Sequence, residues 1–429
     1  MRPNGKQTGS LEKVTKRENT TACPDVASIQ VRQMVLTSRP ISEPRHQPVL
    51  PPVNKGRTSL MEDAHPGHVP HPPSENKGEE SHAKLTTKQE EPEEKVSLHT
   101  NRGIPSNLRE EKMTFYQSNC TYNPQFTYST KNPPSVPPEY RKASDKFLDV
   151  AIAIIKKTLK KYGSYERFQD VTGGRPLQKD EISKAVQRYL QKVGCSDEIK
   201  VCITKDKLCV ASMATVNRRG KLTINASVAR ERWLEGTLCH EIGTHYYRSM
   251  NNMKQPWGQG RKKYGMQPVN PTEEGFATLN TVLLRDEPYL CKVALLYYAA
   301  YKASSLSFSE LYQDLSAYVK DPDTLWYICM LVKKGLTDTS QPGCNSKSQV
   351  YLEGVLQLLR HRQTIDFQLL MALGKISFED VVRLKHIARI KGARMPQFLR
   401  DKHEYMKRLE HIMKINGITD AALRRLIDS

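Results

Sequence analysis

An α+β fold that is mostly helical, with one small antiparallel sheet ahead of a long helix, is what this sequence predicts. Three observations support it. Apolar residues recur at helical steps through most of the chain beyond Ser144, three short β-rich runs cluster between Ile199 and Asn225, and no internal repeat of solenoid period breaks the pattern.

The region before Ser144 reads differently. Of the 26 prolines, 18 lie at or before position 138, and clusters such as Pro40–Pro52 and Pro66–Pro73 bring little apolar surface to offset the entropy of ordering the backbone. Residues 1–112 are therefore expected to be a disordered, Pro-rich polar region. Residues 113–140 add aromatic groups in Met113–Tyr116 and Tyr122–Tyr128, as a strap or linker would, and residues 141–429 form the folded domain.

Within that domain, Phe147, Val150, Ile154 and Leu159 predict a first helix between Ser144 and Gly163, and the stripe Ile182, Val186, Leu190 and Val193 predicts a second over Lys179–Val193. Ile199–Thr204, Leu208–Ala214 and Lys221–Asn225 read as strands separated by Lys205-Asp-Lys and by the breaker Asn217-Arg-Arg-Gly220. A long helix follows at about Val228–Met250. The rest is helical almost to its end, with capping-box spellings at Ser307-x-x-Glu310 and Ser377-x-x-Asp380.

The long helix carries His240-Glu-Ile-Gly-Thr-His245. Neutral imidazoles are good zinc ligands, and a carboxylate beside the first can serve as a general base, so these are the parts of a zinc hydrolase. The spacing is irregular for that role: positions i and i+4 lie ~40° apart around an α-helix, whereas i and i+5 lie ~140° apart. A π-type turn advances less per residue and returns i+5 to roughly the same face. A π-bulge is therefore predicted between His240 and His245, with the distortion at Gly243. Cys239 points away from the pair and reads as a buried thiol.

A catalytic zinc site wants three protein ligands and one open position. Asn270-Pro-Thr-Glu-Glu-Gly-Phe-Ala277 offers the third, since proline at a helix start presents a carboxylate on a new helix. The segment is similar to the one in which gluzincin-type zinc aminopeptidases carry a ligand glutamate just before a glycine. That likeness favours Glu274, with Glu273 as the runner-up; Glu273 is otherwise a first-turn acid that suits a helix N-terminus.

Together, Glu235-Gly-Thr-Leu-Cys-His-Glu-Ile-Gly-Thr-His245, Thr272-Glu-Glu-Gly-Phe-Ala277 and Gln349-Val-Tyr-Leu-Glu-Gly354 resemble the microtubule-associated tyrosine carboxypeptidase (MATCAP) family, specifically its second vertebrate paralogue, over roughly residues 110–429. The resemblance implies a zincin-like metallopeptidase domain over residues 141–429 that removes the C-terminal tyrosine of α-tubulin. It implies one Zn2+ per chain held by His240, His245 and Glu274, with Glu241 as general base, and the α-tubulin tail or microtubules as partner.

The formal charge of +20 bears on the substrate. Residues 1–140 carry 18 basic and 16 acidic side chains, so nearly all of the excess belongs to the folded domain. Arg248, Lys254, Arg261, Lys262 and Lys263 lie between the two ligand segments and could rim a cleft that attracts an acidic tail. Arg248, Arg360 and Arg362 are candidates for clamping the substrate carboxylate, Tyr351 for the oxyanion, and Lys221–Asn225 for binding peptide as an added strand; a packed core tyrosine and an ordinary hairpin strand are the competing readings of the last two. Two alternatives remain for the whole chain: a non-catalytic basic microtubule-binding protein with structural zinc, and a nucleic-acid-binding helical protein. Against the latter, no zinc-finger spacing, aromatic RNP motif or phosphate loop is found.

No apolar run reaches the ~18 residues of a membrane span, the start of the chain has no apolar signal region, and nine cysteines at irregular spacing make no disulfide framework. A cytoplasmic protein on the microtubule cytoskeleton is expected.

Overall fold

The computed structural model describes residues 104–129, 135–205 and 208–427. Most of the expected disordered region, residues 1–103, lies outside the described residues. The first helix, α1 (Leu108–Gln117), therefore begins inside the tract expected to lack structure and takes in Met113–Tyr116. Phe115 explains the docking: it is fully buried, with Phe308, Tyr312 and Trp326 rings 5.0 to 5.3 Å away. Phe126 adds a second anchor against Phe308 and Trp326, and its backbone N–H donates to Thr337 O at 2.7 Å.

The next helices are α2 (Leu148–Tyr162), α3 (Tyr165–Gly173) and α4 (Lys179–Val193). α2 starts four residues after Ser144 and ends, as expected, at Gly163, whose φ of 84° suits a residue without Cβ. Three strands follow: β1 (Ile199–Thr204), β2 (Ala211–Val216) and β3 (Arg219–Asn225).

The sheet is mixed, which corrects the antiparallel expectation. Its order is β1-β3-β2, with β3 parallel to β1 and antiparallel to β2. Asn217 and Arg218 both take positive φ and join β2 to β3 as a tight two-residue hairpin, so the expected breaker is shorter than read. β3 then inserts between its two predecessors. As the central strand it has both edges occupied, and Lys221–Asn225 cannot accept a peptide by strand addition.

The long helix is built of α5 (Leu234–His240), a π-helical turn (Glu241–Tyr246) and α6 (Tyr247–Asn252), all in right-handed helical backbone. It starts at Leu234, later than expected. The remaining helices are α7 (Asn270–Val282), α8 (Cys291–Ala303), α9 (Phe308–Leu315), α10 (Pro322–Lys333), α11 (Val350–Arg360), α12 (Phe367–Ala372), the one-turn α13 (Val381–Leu384), α14 (Lys402–Asn416) and α15 (Asp420–Ile427). The capping box at Ser307 and Glu310 forms. Ser377 makes no such cap; its hydroxyl instead meets Thr272 Oγ1 at 3.1 Å, in the first turn of α7.

Two close backbone approaches fix α7. A Cβ at Gly236 would stand 2.0 Å from Thr281 O, so α5 and α7 touch there. A Cβ at Gly354 would stand 1.7 Å from Pro271 O, and one at Gly275 2.2 Å from Gly354 C, so α7 and α11 cross at paired glycines. These glycines let α7 lie against the HExxxH helix on one side and α11 on the other. Among the described residues, no helix is long and apolar enough to cross a membrane.

Candidate metal centre

The π turn closes where the i, i+5 spacing demands it. Thr244 Oγ1 donates to Cys239 O at 2.9 Å, spanning five residues, and accepts from Asn280 Nδ2 at 2.9 Å; Asn280 Oδ1 in turn accepts from Tyr405 at 2.9 Å. This buried network fastens the widened turn to α7 and α14. Gly243 does not take unusual backbone angles, which departs from the expected role. Its missing side chain instead admits Phe398, whose Cε1 would lie 2.9 Å from a Cβ.

The result brings the two imidazoles together, with ring centroids 4.7 Å apart and Nε2 atoms 3.1 Å apart. Their tautomers follow from their partners. Thr281 Oγ1 donates to Ala277 O, leaving its oxygen to accept from His240 Nδ1 at 2.8 Å. His245 Nδ1 donates to the Glu273 carboxylate at 2.8 Å. With both Nδ1 atoms protonated, the Nε2 lone pairs converge, and such an arrangement calls for a cation between them.

Glu274 Oε2 lies 3.5 Å from His245 Nε2, and one ligand atom from each of His240, His245 and Glu274 falls within 4.8 Å of the others. Tetrahedral bonds of about 2.0–2.1 Å place neighbouring ligand atoms roughly 3.3 Å apart, so the donor set fits one small divalent ion.

The charges are arranged for the same end. Burial pushes His240 down to about 3, assisted by His245. Burial would also lower His245, but Glu273 and Glu274 overcome it and raise it to about 10, so without a metal the cradle takes a proton instead. Burial would raise Glu274, yet the two histidines hold it below its ordinary value. Glu273 is held well below the carboxylate range despite its burial, because Lys375 and Arg248 face it.

Glu241 follows His240 directly and is 6% exposed. It lies within electrostatic reach of Tyr351, whose phenol is pushed well up by burial and then by Glu274, with Glu241 adding to it. Tyr351 is half-buried.

Arg248 departs from its expected place on the rim. It is 0% exposed, and its guanidinium donates to Glu273 Oε2 at 2.6 Å, Leu370 O at 3.1 Å and Ile376 O at 2.8 Å. A side chain so engaged meets no substrate; it holds Glu273, which holds His245. Arg362 is likewise committed, forming a bidentate pair with Asp420 at 2.6 and 2.9 Å. Lys254 donates to Gly392 O at 2.5 Å, and Arg261 to Lys375 O and Gln267 O. Lys262 and Lys263 are exposed on the short 3-10 turn Arg261–Tyr264.

Sequence reasoning read Glu273 as the runner-up ligand or a first-turn acid, whereas it accepts from His245 Nδ1 behind the ring, and it missed Thr281. A signal for Thr281 was present, since it sits seven residues after Glu274 on the same helical face. Nothing in the sequence marked Lys375, whose Nζ lies 3.2 Å from Glu273 Oε1.

A family model described as Microtubule-associated tyrosine carboxypeptidase matches residues 173–419. A mouse protein named "Putative tyrosine carboxypeptidase MATCAP2" is 54% identical over 325 residues, 75% of this chain and 63% of that relative. Microtubule-associated tyrosine carboxypeptidase 1 is 50% identical in mouse and 48% in human over the same length, covering 70% and 69% of those relatives. The chain thus spans under two thirds of the first relative's length, and the higher identity within mouse fits the second paralogue.

Proposed function

The chain belongs to the microtubule-associated tyrosine carboxypeptidase family, and from that premise we propose that it is a zinc metallocarboxypeptidase hydrolysing the C-terminal tyrosine from the acidic tail of α-tubulin. One observation carries the reading: two imidazole Nε2 atoms 3.1 Å apart, with the Glu274 carboxylate beside them. A zinc ion at this position supplies Lewis acidity, activating water and polarising the scissile carbonyl.

The chain's own residues do the rest. Glu241, next to His240, takes a proton from the attacking water and passes it to the leaving amine. Tyr351 keeps its proton, so it can donate to the oxygen on which charge develops. Arg248 and Glu273 keep the His245 ring in its tautomer and orientation. The exposed Lys262 and Lys263 contribute to a field that draws in a Glu-rich tail. Three protein ligands favour an open catalytic centre over a structural one, which normally has four. The working location is the cytoplasm, on microtubules.

The test is release of free tyrosine from assembled microtubules, with Glu241→Gln as the control. Activity should fall as salt rises to several hundred millimolar, since screening then shortens the reach of the basic surface to well under ~8 Å. Absence of tyrosine release from the zinc-loaded chain would refute the assignment.

A further inference from the structure

A second cleft opens between the β2–β3 hairpin, the loop ahead of β1 and the residues that follow α6. It encloses about 490 Å³, and its lining sets Arg218, Arg219, Lys254 and Arg394 against Asp197 and Glu198. None of His240, Glu241, His245 or Glu274 lines it.

Two of the four cations are engaged. Arg394 Nη2 donates to Glu198 Oε1 at 2.7 Å, and Lys254 Nζ donates to Gly392 O at 2.5 Å. Arg218 and Arg219 are exposed, and among the described residues neither side chain forms an ion pair. Arg218 also stands where its backbone is unfavourable. Its φ is 66° and that of Asn217 is 49°, the centre of a hairpin turn whose second position ordinarily falls to glycine. An arginine there costs conformational energy that glycine would not, and such an outlier points to a use for the side chain.

The hairpin is held from beneath. Tyr246, fully buried and next to His245 in the π turn, donates to Glu198 Oε2 at 2.7 Å, with Arg218 O as a second acceptor at 3.1 Å. Gly220 N–H donates to Glu198 O at 2.8 Å. The Arg394 guanidinium lies 5.6 Å from the Tyr246 ring centroid, and Asn251 exchanges two bonds of 2.7 and 2.9 Å with the Arg394 backbone. The arginines at the tip are therefore mounted on a fixed frame.

Four cations against two acids leave a surplus of two positive charges. A phosphomonoester carries about −1.5 to −2 at neutral pH, and its three oxygens suit forked guanidinium donors. A single carboxylate supplies half of that charge, and a run of glutamates would meet Asp197 and Glu198 on the same lining. We propose that this cleft binds a phosphomonoester, with Arg218 and Arg219 as principal contacts and Tyr246 as the residue that holds the hairpin in place for them. The site is independent of the hydrolase reading above.

The probe is a glycine-rich decapeptide with one central phosphoserine and a C-terminal amide, followed by fluorescence anisotropy on the full chain. Its counterparts carry serine or glutamate at that position. The phosphopeptide should bind at least about tenfold more tightly than either, with or without a chelator, since no metal ligand lines the cleft. Competition with inorganic phosphate distinguishes the sources: displacement at matching concentration assigns the cleft to free phosphate, and displacement only at large excess assigns it to a phosphorylated chain. Arg219→Gln should remove most of the preference. Arg218→Gly should do the same while the melting temperature holds or rises, because glycine relieves the turn. Tyr246→Phe keeps every cation and should still weaken the phosphopeptide severalfold.

Equal affinity for the phosphoserine and serine peptides, or for the phosphoserine and glutamate peptides, overturns the proposal without requiring any variant to fold. So does a preference that vanishes on chelation, which would put the phosphate on the metal, and so does one retained in both arginine variants at unaltered melting temperature. An unchanged preference in Tyr246→Phe would reduce the cleft to loose surface charge and overturn the held site.

Discussion

His240 Nε2 and His245 Nε2 face each other across 3.1 Å, each ring having given its other nitrogen to an acceptor. Only a cation makes that approach favourable. Purified protein is expected to carry one zinc per chain by elemental analysis, and His240→Ala to lose it. Metal binding requires both rings neutral, so zinc should leave as pH falls. In the chelated protein the raised His245 stabilises the fold below its unfolded pKa of ~6.5, and that contribution is lost as pH rises toward about 10. Calorimetry should therefore show the melting temperature of the chelated form falling over this window more than that of the loaded form.

Glu241 is assigned the proton transfer. Glu241→Gln keeps the shape and removes the base, so zinc content and melting temperature should be retained while turnover falls by about 10²–10⁴-fold. Wild-type turnover in that variant would transfer the role to another group.

Arg248 and Glu273 are a buried pair with two additional carbonyl acceptors on the arginine. Removing one partner strands the other, so Glu273→Gln should cost about 3–5 kcal/mol of stability and weaken zinc affinity by about 10–100-fold through His245. Adding Arg248→Met should restore part of the stability but not the affinity. The two readouts, denaturant unfolding and competition with a chelator, would then separate; if both recover together, Glu273 acts only through the fold.

The π turn could be read from the sequence because an i, i+5 histidine pair is useless on a regular helix, whereas Arg248 could not be placed. It lies three residues beyond His245, and spacing alone cannot tell a rim residue from one turned inward under Leu370 and Ile376, more than a hundred residues away. The antiparallel expectation failed for a related reason: β1 and β2 are neighbours in sequence, but β3, joined to β2 by the tight Asn217-Arg218 hairpin, lies between them and runs parallel to β1. Local chemistry was legible in both cases and long-range pairing was not.

Gly354 is expected to be intolerant of even one methyl group. Its Cβ would meet Pro271 O at 1.7 Å and Gly275 Cα at 2.9 Å, both backbone atoms that cannot rotate aside. Gly354→Ala must push α11 away from the start of α7, costing about 1–3 kcal/mol or more and shifting Glu274 relative to the histidines. Reduced zinc occupancy at a lowered melting temperature is the expected pair of observations, and unaltered occupancy would show that α7 holds its ligand independently of the crossing.

Lys333 offers a pH test remote from the metal. It is 0% exposed, and its Nζ donates to Ala303 O at 3.2 Å, Leu306 O at 2.6 Å and Gln341 O at 3.1 Å, tying the end of α8 to the loops beyond it. Burial drives its pKa from 10.5 down to about 8. Between those values the unfolded chain holds a proton that the folded chain has released, so the contribution of Lys333 to folding stability grows as pH rises through the window, opposite in sign to that of the buried thiols Cys239 and Cys291, which burial raises to about 12. Lys333→Met removes the titrating group and the donor together. It should remove that contribution, so that stability changes less favourably with rising pH than in the unsubstituted protein, and cost about 2–4 kcal/mol at neutral pH as three carbonyls lose their partner. Denaturant unfolding at pH 7.5, 9 and 10.5 measures both effects, and a slope identical to that of the unsubstituted protein would assign the titration elsewhere.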